Sequence, residues 1–336
     1  MRNDWTSGRI AAVAASCVAL AIAFFYLSFV RGKSAQASPV PDLFSALPPG
    51  APTLVYLDFA AIRASSFYQH RPDKGPIAIP NQDYADFVSS TGFNFEKDLD
   101  RVVIASWNAP DKEPRKNIVI ADGRFDRAKI RDYAMRKGKL DHQQGRDVFL
   151  FAGGDRAGTN SITFLDDHRI ALVAGPSIAP LFAAPVGDPA ADPARNRAAR
   201  LDGAAMFLIT QVPPVPDNVA AGGGQSAQLA SLARSVRWLT LAASPEGDNL
   251  RISLEGECDD AASARQLQAG LELLRMFGRA GLDSPKTRAS MDPATHATLQ
   301  TLLTNADVTQ AAEHVRILLE ITPDVWHLSG PAKPQP

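Results

Sequence analysis

The residues best able to do chemistry in this chain are few and scattered. Asp166-Asp167-His168 joins two carboxylates to an imidazole, a set suited to metal ligation or acid-base work. The triplet lies between the apolar runs Ser161 to Leu165 and Ile170 to Ala174, where a hairpin turn belongs and adjacent side chains point apart, so it reads as a solvated turn. Gly222-Gly223-Gly224 precedes a helix-forming stretch and would offer backbone N–H groups to a phosphate. It lacks the Gly-Lys-Ser/Thr ending and no strand leads into it, so it reads as a flexible loop. His70, His142, His296, His314 and His327 form no i, i+4 pair and no HExxH pattern. Cys258 would need a base and a lowered pKa to act as a nucleophile, and its position after an apolar strand reads as a small core residue. The pairs Asp98/Asp100 and Asp259/Asp260 read as a strand approach and a helix cap. With no GxSxG, SxxK or CxxC motif, the sequence nominates no catalytic, cofactor-binding or metal-binding residue, and the expectation is that the protein is not an enzyme.

Composition narrows the classes further. The 336 residues carry 35 Lys plus Arg against 36 Asp plus Glu, with 45% hydrophobic and 21% charged residues, which suits a globular chain of about two domains. Arg2, Arg9, Arg31 and Lys33 face only Asp4 in the first 33 residues, so the remainder is mildly acidic. A body without a Lys/Arg cluster lacks the footprint of a nucleic-acid binder, and no nucleic-acid partner is expected. Cys17 lies in an apolar run and Cys258 is the other cysteine, which leaves neither an internal disulfide in the body nor a cysteine zinc site.

The apolar run Ile10 to Val30 has 21 residues without a charge, enough at about 1.5 Å per residue to cross a hydrocarbon core of roughly 30 Å. It predicts a transmembrane helix at 10–30 after a cytoplasmic N-terminus at 1–9, with the membrane as a partner through residues 10–30. The body would then lie outside the cytoplasm, anchored by a single pass in the cell inner membrane. Ala35-Gln36-Ala37 before Ser38 keeps open a secreted protein cleaved after Ala37. The Pro-, Ser- and Ala-rich stretch at 31–52 reads as a stalk linker, and 183–202 as a second Pro/Ala-rich linker. Between and after them lie a first half at 53–182 and a second at 203–328, with a disordered tail expected at 329–336.

The first half reads as strands at Thr53 to Asp58, Arg101 to Trp107 and Asn117 to Asp122, a helix from Arg127 capped by Asp126, and strands near 148–151, 161–165 and 170–174. The second half begins similarly, with strands near 205–210, 236–242 and 249–255. A helix follows from Ala261, then another behind the cap Asp292-Pro293, and a last strand at 313–321. An echo of Asn117–Asp126 in Asn249–Asp259 suggests a duplication. The expected fold is α+β: two related β-α-β-β-α-β, ferredoxin-like halves with mainly antiparallel sheets behind an N-terminal transmembrane helix.

Leu47-Pro-Pro-Gly-Ala-Pro-Thr-Leu-Val-Tyr-Leu-Asp58 and Thr91-Gly-Phe-Asn-Phe-Glu-Lys-Asp-Leu-Asp-Arg101 resemble segments of uncharacterised membrane-anchored bacterial envelope proteins. The resemblance implies a membrane-anchored envelope protein and carries no catalytic residue. The resulting expectation is a non-enzymatic binding or scaffolding module with an envelope protein as partner. The alternative is an envelope hydrolase whose site no motif reveals.

Overall fold

The computed structural model describes residues 41–71, 82–107, 116–152, 159–182, 192–201, 203–214 and 233–329. The segment at 10–30, with residues 1–9 and 31–40, the stretch 183–191, the triple-glycine loop and the tail from 330 lie outside them. No helix among the described residues is long and apolar enough to cross a membrane, so the expected transmembrane helix has no counterpart in the described fold.

The chain opens with helix α1 (Pro41–Ser45) and strand β1 (Thr53–Asp58), followed by short helices α2 (Phe59–Ala64), α3 (Ser66–Gln69), α4 (Gln82–Thr91) and α5 (Phe95–Asp98). Strands β2 (Leu99–Trp107) and β3 (Lys116–Gly123), helix α6 (Arg127–Lys137) and strands β4 (Lys139–Gln143), β5 (Arg146–Ala152), β6 (Thr159–Phe164) and β7 (Arg169–Ala174) come next. Helix α7 (Pro193–Ala198) leads to β8 (Met206–Gln211), β9 (Val236–Glu246) and β10 (Asn249–Cys258). Helices α8 (Ala261–Asp283), α9 (Pro285–Ser290) and α10 (Pro293–Asn305) precede the final strands β11 (Asp307–Ala311) and β12 (His314–Ile321).

The strands form one twelve-stranded sheet in the order β11-β12-β10-β9-β8-β1-β2-β3-β7-β6-β5-β4. This overturns the expectation of two ferredoxin-like halves. A ferredoxin-like half places its first strand between its third and fourth strands and apart from its second, whereas β1 pairs with β2, its immediate successor, and with β8. The order of pairing could not be read from the strands alone: β8, expected to open the second half, lies directly against β1 of the first, with Tyr56 opposite Phe207. Strand β4 was not expected at all. It pairs with β5 through the two-residue turn Gln144-Gly145, both with positive φ (53° and 71°), as a type I′ hairpin requires.

The described chain falls into two compact units. The larger, within 28–64 and 75–210, is built on three cross-strand rows that share one face of β1, β2, β3 and β7. Leu54, Ala105, Ile118 and Val173 form the first row, and Tyr56, Val103, Ile120 and Ala171 the second. All eight are buried, as period-two alternation demands when one face meets the core. The third row is charged: Asp58, Arg101, Asp122 and Arg169. Phe207 continues the second row and stacks on Tyr56 and on Phe44 of α1, with ring centroids 5.3 and 6.0 Å away.

Phe44, Leu43 and Leu47 are thus core residues, so the end of the stretch expected to be a stalk folds onto the sheet from Pro41 onward. The second expected linker is also partly structured. Asp192 caps α7, Pro193 occupies its first turn, and Ala194 and Ala198 are buried at i, i+4 spacing. The Asp192 carboxylate accepts from the N–H groups of Ala194 and Arg195 at 3.1 and 3.2 Å and from Gly50 N–H at 2.8 Å, which ties α7 to the segment leading into β1.

The other unit takes in 65–74 and 211–336, so α3 belongs with the C-terminal elements. Phe67 of α3 meets Trp326, ring centroids 5.1 Å apart, and its carbonyl accepts from the buried indole N–H at 3.3 Å. Cys258, Ala264, Leu267, Val308 and Val315 form the core under α8, while Trp238, like Trp107 of the larger unit, is only half-buried.

Replacing Asp192 by Ala removes a helix cap and leaves the Gly50 N–H unanswered, a combined loss of about 2–4 kcal/mol. Urea unfolding is expected to show that loss; a change below about 0.5 kcal/mol, the usual range of surface substitutions, would show that this junction does not stabilise the fold.

Candidate functional site

At the end of the larger unit's core face, where the charged row terminates it, the surface opens into a recess of about 640 Å³. Asp100, Arg101, Asp122, Arg124, Arg169 and the Asp166-Asp167-His168 turn line it. The local sequence explains each placement. Asp58 and Asp122 end the apolar runs of β1 and β3, and Arg101 and Arg169 begin those of β2 and β7. Because neighbouring strands run antiparallel, strand ends and strand starts alternate along this edge of the core, and acid alternates with base.

Asp122 is the hub. Its carboxylate accepts from Arg101 Nη2 at 2.8 Å on one side and from Arg169 Nε and Nη2 at 2.7 and 3.4 Å on the other. The Arg169 contact is a two-pronged fork, the geometry in which a guanidinium binds a carboxylate best. Asp122 is buried and both arginine side chains are largely so, so each charge depends on the others for solvation.

Asp58 lies deeper, 3% exposed. One oxygen accepts from Ala61 N–H at 2.7 Å, capping α2, and the other from the Tyr56 hydroxyl at 3.2 Å. Burial raises the Asp58 pKa above the usual carboxylate range against the opposing effect of these hydrogen bonds. Burial, reinforced by the Asp58 charge, also pushes the Tyr56 phenol well upward. Arg63, buried at the next layer, donates to the carbonyls of Leu99 and Glu96 and to Asp100 at 2.6 Å. Arg124 is more exposed and lies 3.7 Å from Asp98 and 3.8 Å from Asp100.

Gly123 shapes the recess by close approach: a Cβ there would collide with the Asp98 carbonyl, which accepts from Arg124 N–H at 2.7 Å. Its own N–H donates to the His168 carbonyl at 2.9 Å, so the backbone of the β6–β7 turn is held beside β3.

The residues weighed from sequence fall into place as follows. Asp166, Asp167 and His168 are exposed in the β6–β7 turn, where Asp166 accepts from His168 N–H at 2.8 Å and Asp167 pairs with Arg127 at 2.5 Å. His142 pairs with Asp147 at 2.9 Å and His314 with Glu255 at 3.2 Å, in different units. His70 and His296 bond backbone carbonyls, of Ser66 and Leu282. Cys258 is buried and burial raises its thiol pKa, which disfavours the nucleophilic thiolate. Asp98 and Asp100 come together with Arg124 at the recess; Asp260, rather than Asp259, caps α8. No group of three metal-ligating side chains occurs among the described residues.

Sequence reasoning passed over Asp58, Arg63, Arg101, Asp122, Arg124 and Arg169. The available signal was a charge flanking four of the apolar runs, Asp after β1 and β3 and Arg before β2 and β7. Chemically the arrangement suits recognition of a polar, charged surface. Asp100 and Asp122 are answered by arginines, and Asp58, whose pKa is raised, is sealed from solvent.

Two outcomes are expected. Asp122→Ala leaves Arg101 and Arg169 facing each other without their carboxylate and should cost about 3–5 kcal/mol in urea unfolding. Asp58 keeps its proton in the native state to higher pH than in the unfolded chain, so its ionisation weakens the fold as pH rises above 3.8 through the raised value. The stability difference between Asp58→Asn and the parent should therefore grow in the variant's favour across that window and level off above it. A difference independent of pH would show that Asp58 is not strained by burial.

No family model matches the chain, and no curated protein matches it. Among solved structures it is similar to crystal form III of TP0453, with a TM-score of 0.45 and 11% identity, over 87% of this chain and 96% of that chain. Crystal form I of TP0453 gives 0.41 and 11% over 88% and 97%, and crystal form IV gives 0.43 and 9% over 85% and 95%.

Proposed function

We propose that this protein is a non-enzymatic binding or scaffolding module of the cell envelope, and that the charged recess at the end of the larger unit's core face receives a polar partner protein. One observation carries this reading: the recess offers both signs of charge at its rim, through Arg124, Asp166 and Asp167, over a floor whose carboxylates are bound to arginine. Such a rim favours selection of a partner by charge complementarity. A floor of that kind is poorly suited to proton transfer, because moving a proton onto Asp122 would break two ion pairs that hold the strands. The enzyme alternative would need Asp58 as its acid, and Asp58 has no exposed face through which to meet a substrate. Display of the body outside the cytoplasm rests on the basic and apolar N-terminal sequence.

A photo-reactive residue placed at Asp167 in the full chain tests the reading. The expected result is a discrete adduct with another envelope protein, reduced about tenfold by Arg124→Glu, which corresponds to about 1.4 kcal/mol. Adducts no different from those at an exposed position of the other unit, such as Arg251, would contradict it. So would a hydrolytic activity that disappears in a folded Asp122→Asn variant.

A further inference from the structure

Helix α8 carries two apolar faces. One packs inward through Ala264, Leu267 and Leu282, with Gly278 against Leu303 of α10. The other runs along Ala262, Gln266, Ala269, Leu273, Met276 and Ala280, every one exposed. Met276 is 56% exposed and the adjacent Phe277 58%, among the largest apolar side chains left in water by the described residues. The outer positions alternate in steps of four and three, the spacing at which one helix packs along another. A 23-residue helix that is apolar on both sides is built to be covered on both.

We propose that the occupant of this outer face is the same helix of a second copy of the chain, packed antiparallel about a two-fold axis. The case rests on self-complementarity in size and charge. When Leu273 is set opposite the partner's Met276 in antiparallel packing, Ala269 falls opposite the partner's Ala280. The flanking positions then place Phe277 over the partner's Gly270, bulk against the absence of a side chain, and the two-fold repeats each contact. On the other flank Glu272 meets the partner's Arg279, again twice. Arg275, which pairs with Glu272 at 2.8 Å, is turned toward its own subunit by a hydrogen bond to the Ala306 carbonyl, so the second Glu272 oxygen remains available to Arg279 of the partner subunit. Moving the register by one heptad in either direction separates Leu273 from the partner's Met276 and Phe277 from the partner's Gly270. In parallel packing, by contrast, Phe277 lies against the partner's Glu272, an apolar ring against a carboxylate, and the pairing of Glu272 with the partner's Arg279 is lost. This interaction is independent of the charged recess, which lies in the other unit.

The test uses the full chain in a Cys17→Ser background, with differently tagged copies carrying Ala269→Cys or Ala280→Cys. Under mild oxidation the mixed copies should form a disulfide-linked dimer. Either variant alone should not, because identical positions lie about 16 Å apart along antiparallel helices. Glu272→Arg or Arg279→Glu should each lower the cross-linking yield about tenfold, and the two changes in one chain should restore it. Thermal melts followed by far-UV circular dichroism verify that each variant folds. Cross-linking of each variant with itself would overturn the antiparallel arrangement. A monomer without cross-links, a yield indifferent to the charge reversals, or occupation of the face by phosphatidylcholine–phosphatidylglycerol vesicles in place of dimer formation would overturn the proposal.

Discussion

The larger unit depends on the row Asp58, Arg101, Asp122, Arg169, in which charge alternates across four adjacent strands. A sheet whose rows are otherwise Leu, Val, Ile and Ala with one Tyr has little to fix its register, because apolar side chains tolerate sliding by two residues. Ending each strand's core-facing set with a charge removes that freedom. A two-residue slip would bring an arginine or aspartate against an apolar row and leave its former partners buried without a counterion. Desolvation makes the row costly as well as selective. Asp58 is held next to a phenol and a helix N–H at the expense of a raised pKa, and Asp122 is tolerable because two guanidinium groups share it.

Much of the local structure was legible in the sequence. The apolar runs of β1, β3 and β7, the cap at Asp126 and the cap-proline pair Asp292-Pro293 sit where their residue types predict. Asp192-Pro193 is the same signal as Asp292-Pro293, yet it was obscured by the Pro- and Ala-rich composition around it; two buried alanines are enough to dock that helix. Strand β4, KLDHQ, has no apolar run of its own and exists because the Gln144-Gly145 turn folds it onto β5.

What the sequence could not disclose was which strands become neighbours. An aspartate after one run and an arginine before the next look like solvated ends until β1 is laid beside β2, β3 and β7 in antiparallel order. The charged recess was hidden for that reason, since its lining draws on residues as far apart in sequence as Asp100 and Arg169. The exposed residues of α8 posed the opposite problem: Leu273 and Met276 look like core positions in any helical pattern, and only the folded chain separates the face that is covered from the one that is not.

A double-mutant cycle between Asp122 and Arg169, using Asp122→Asn and Arg169→Met with urea unfolding of all four proteins, tests most directly whether the charged row acts as a unit. The account predicts a coupling energy of about 2 kcal/mol or more, within the range found for residues sharing one buried network. Additive effects, with coupling below about 0.5 kcal/mol, would contradict it.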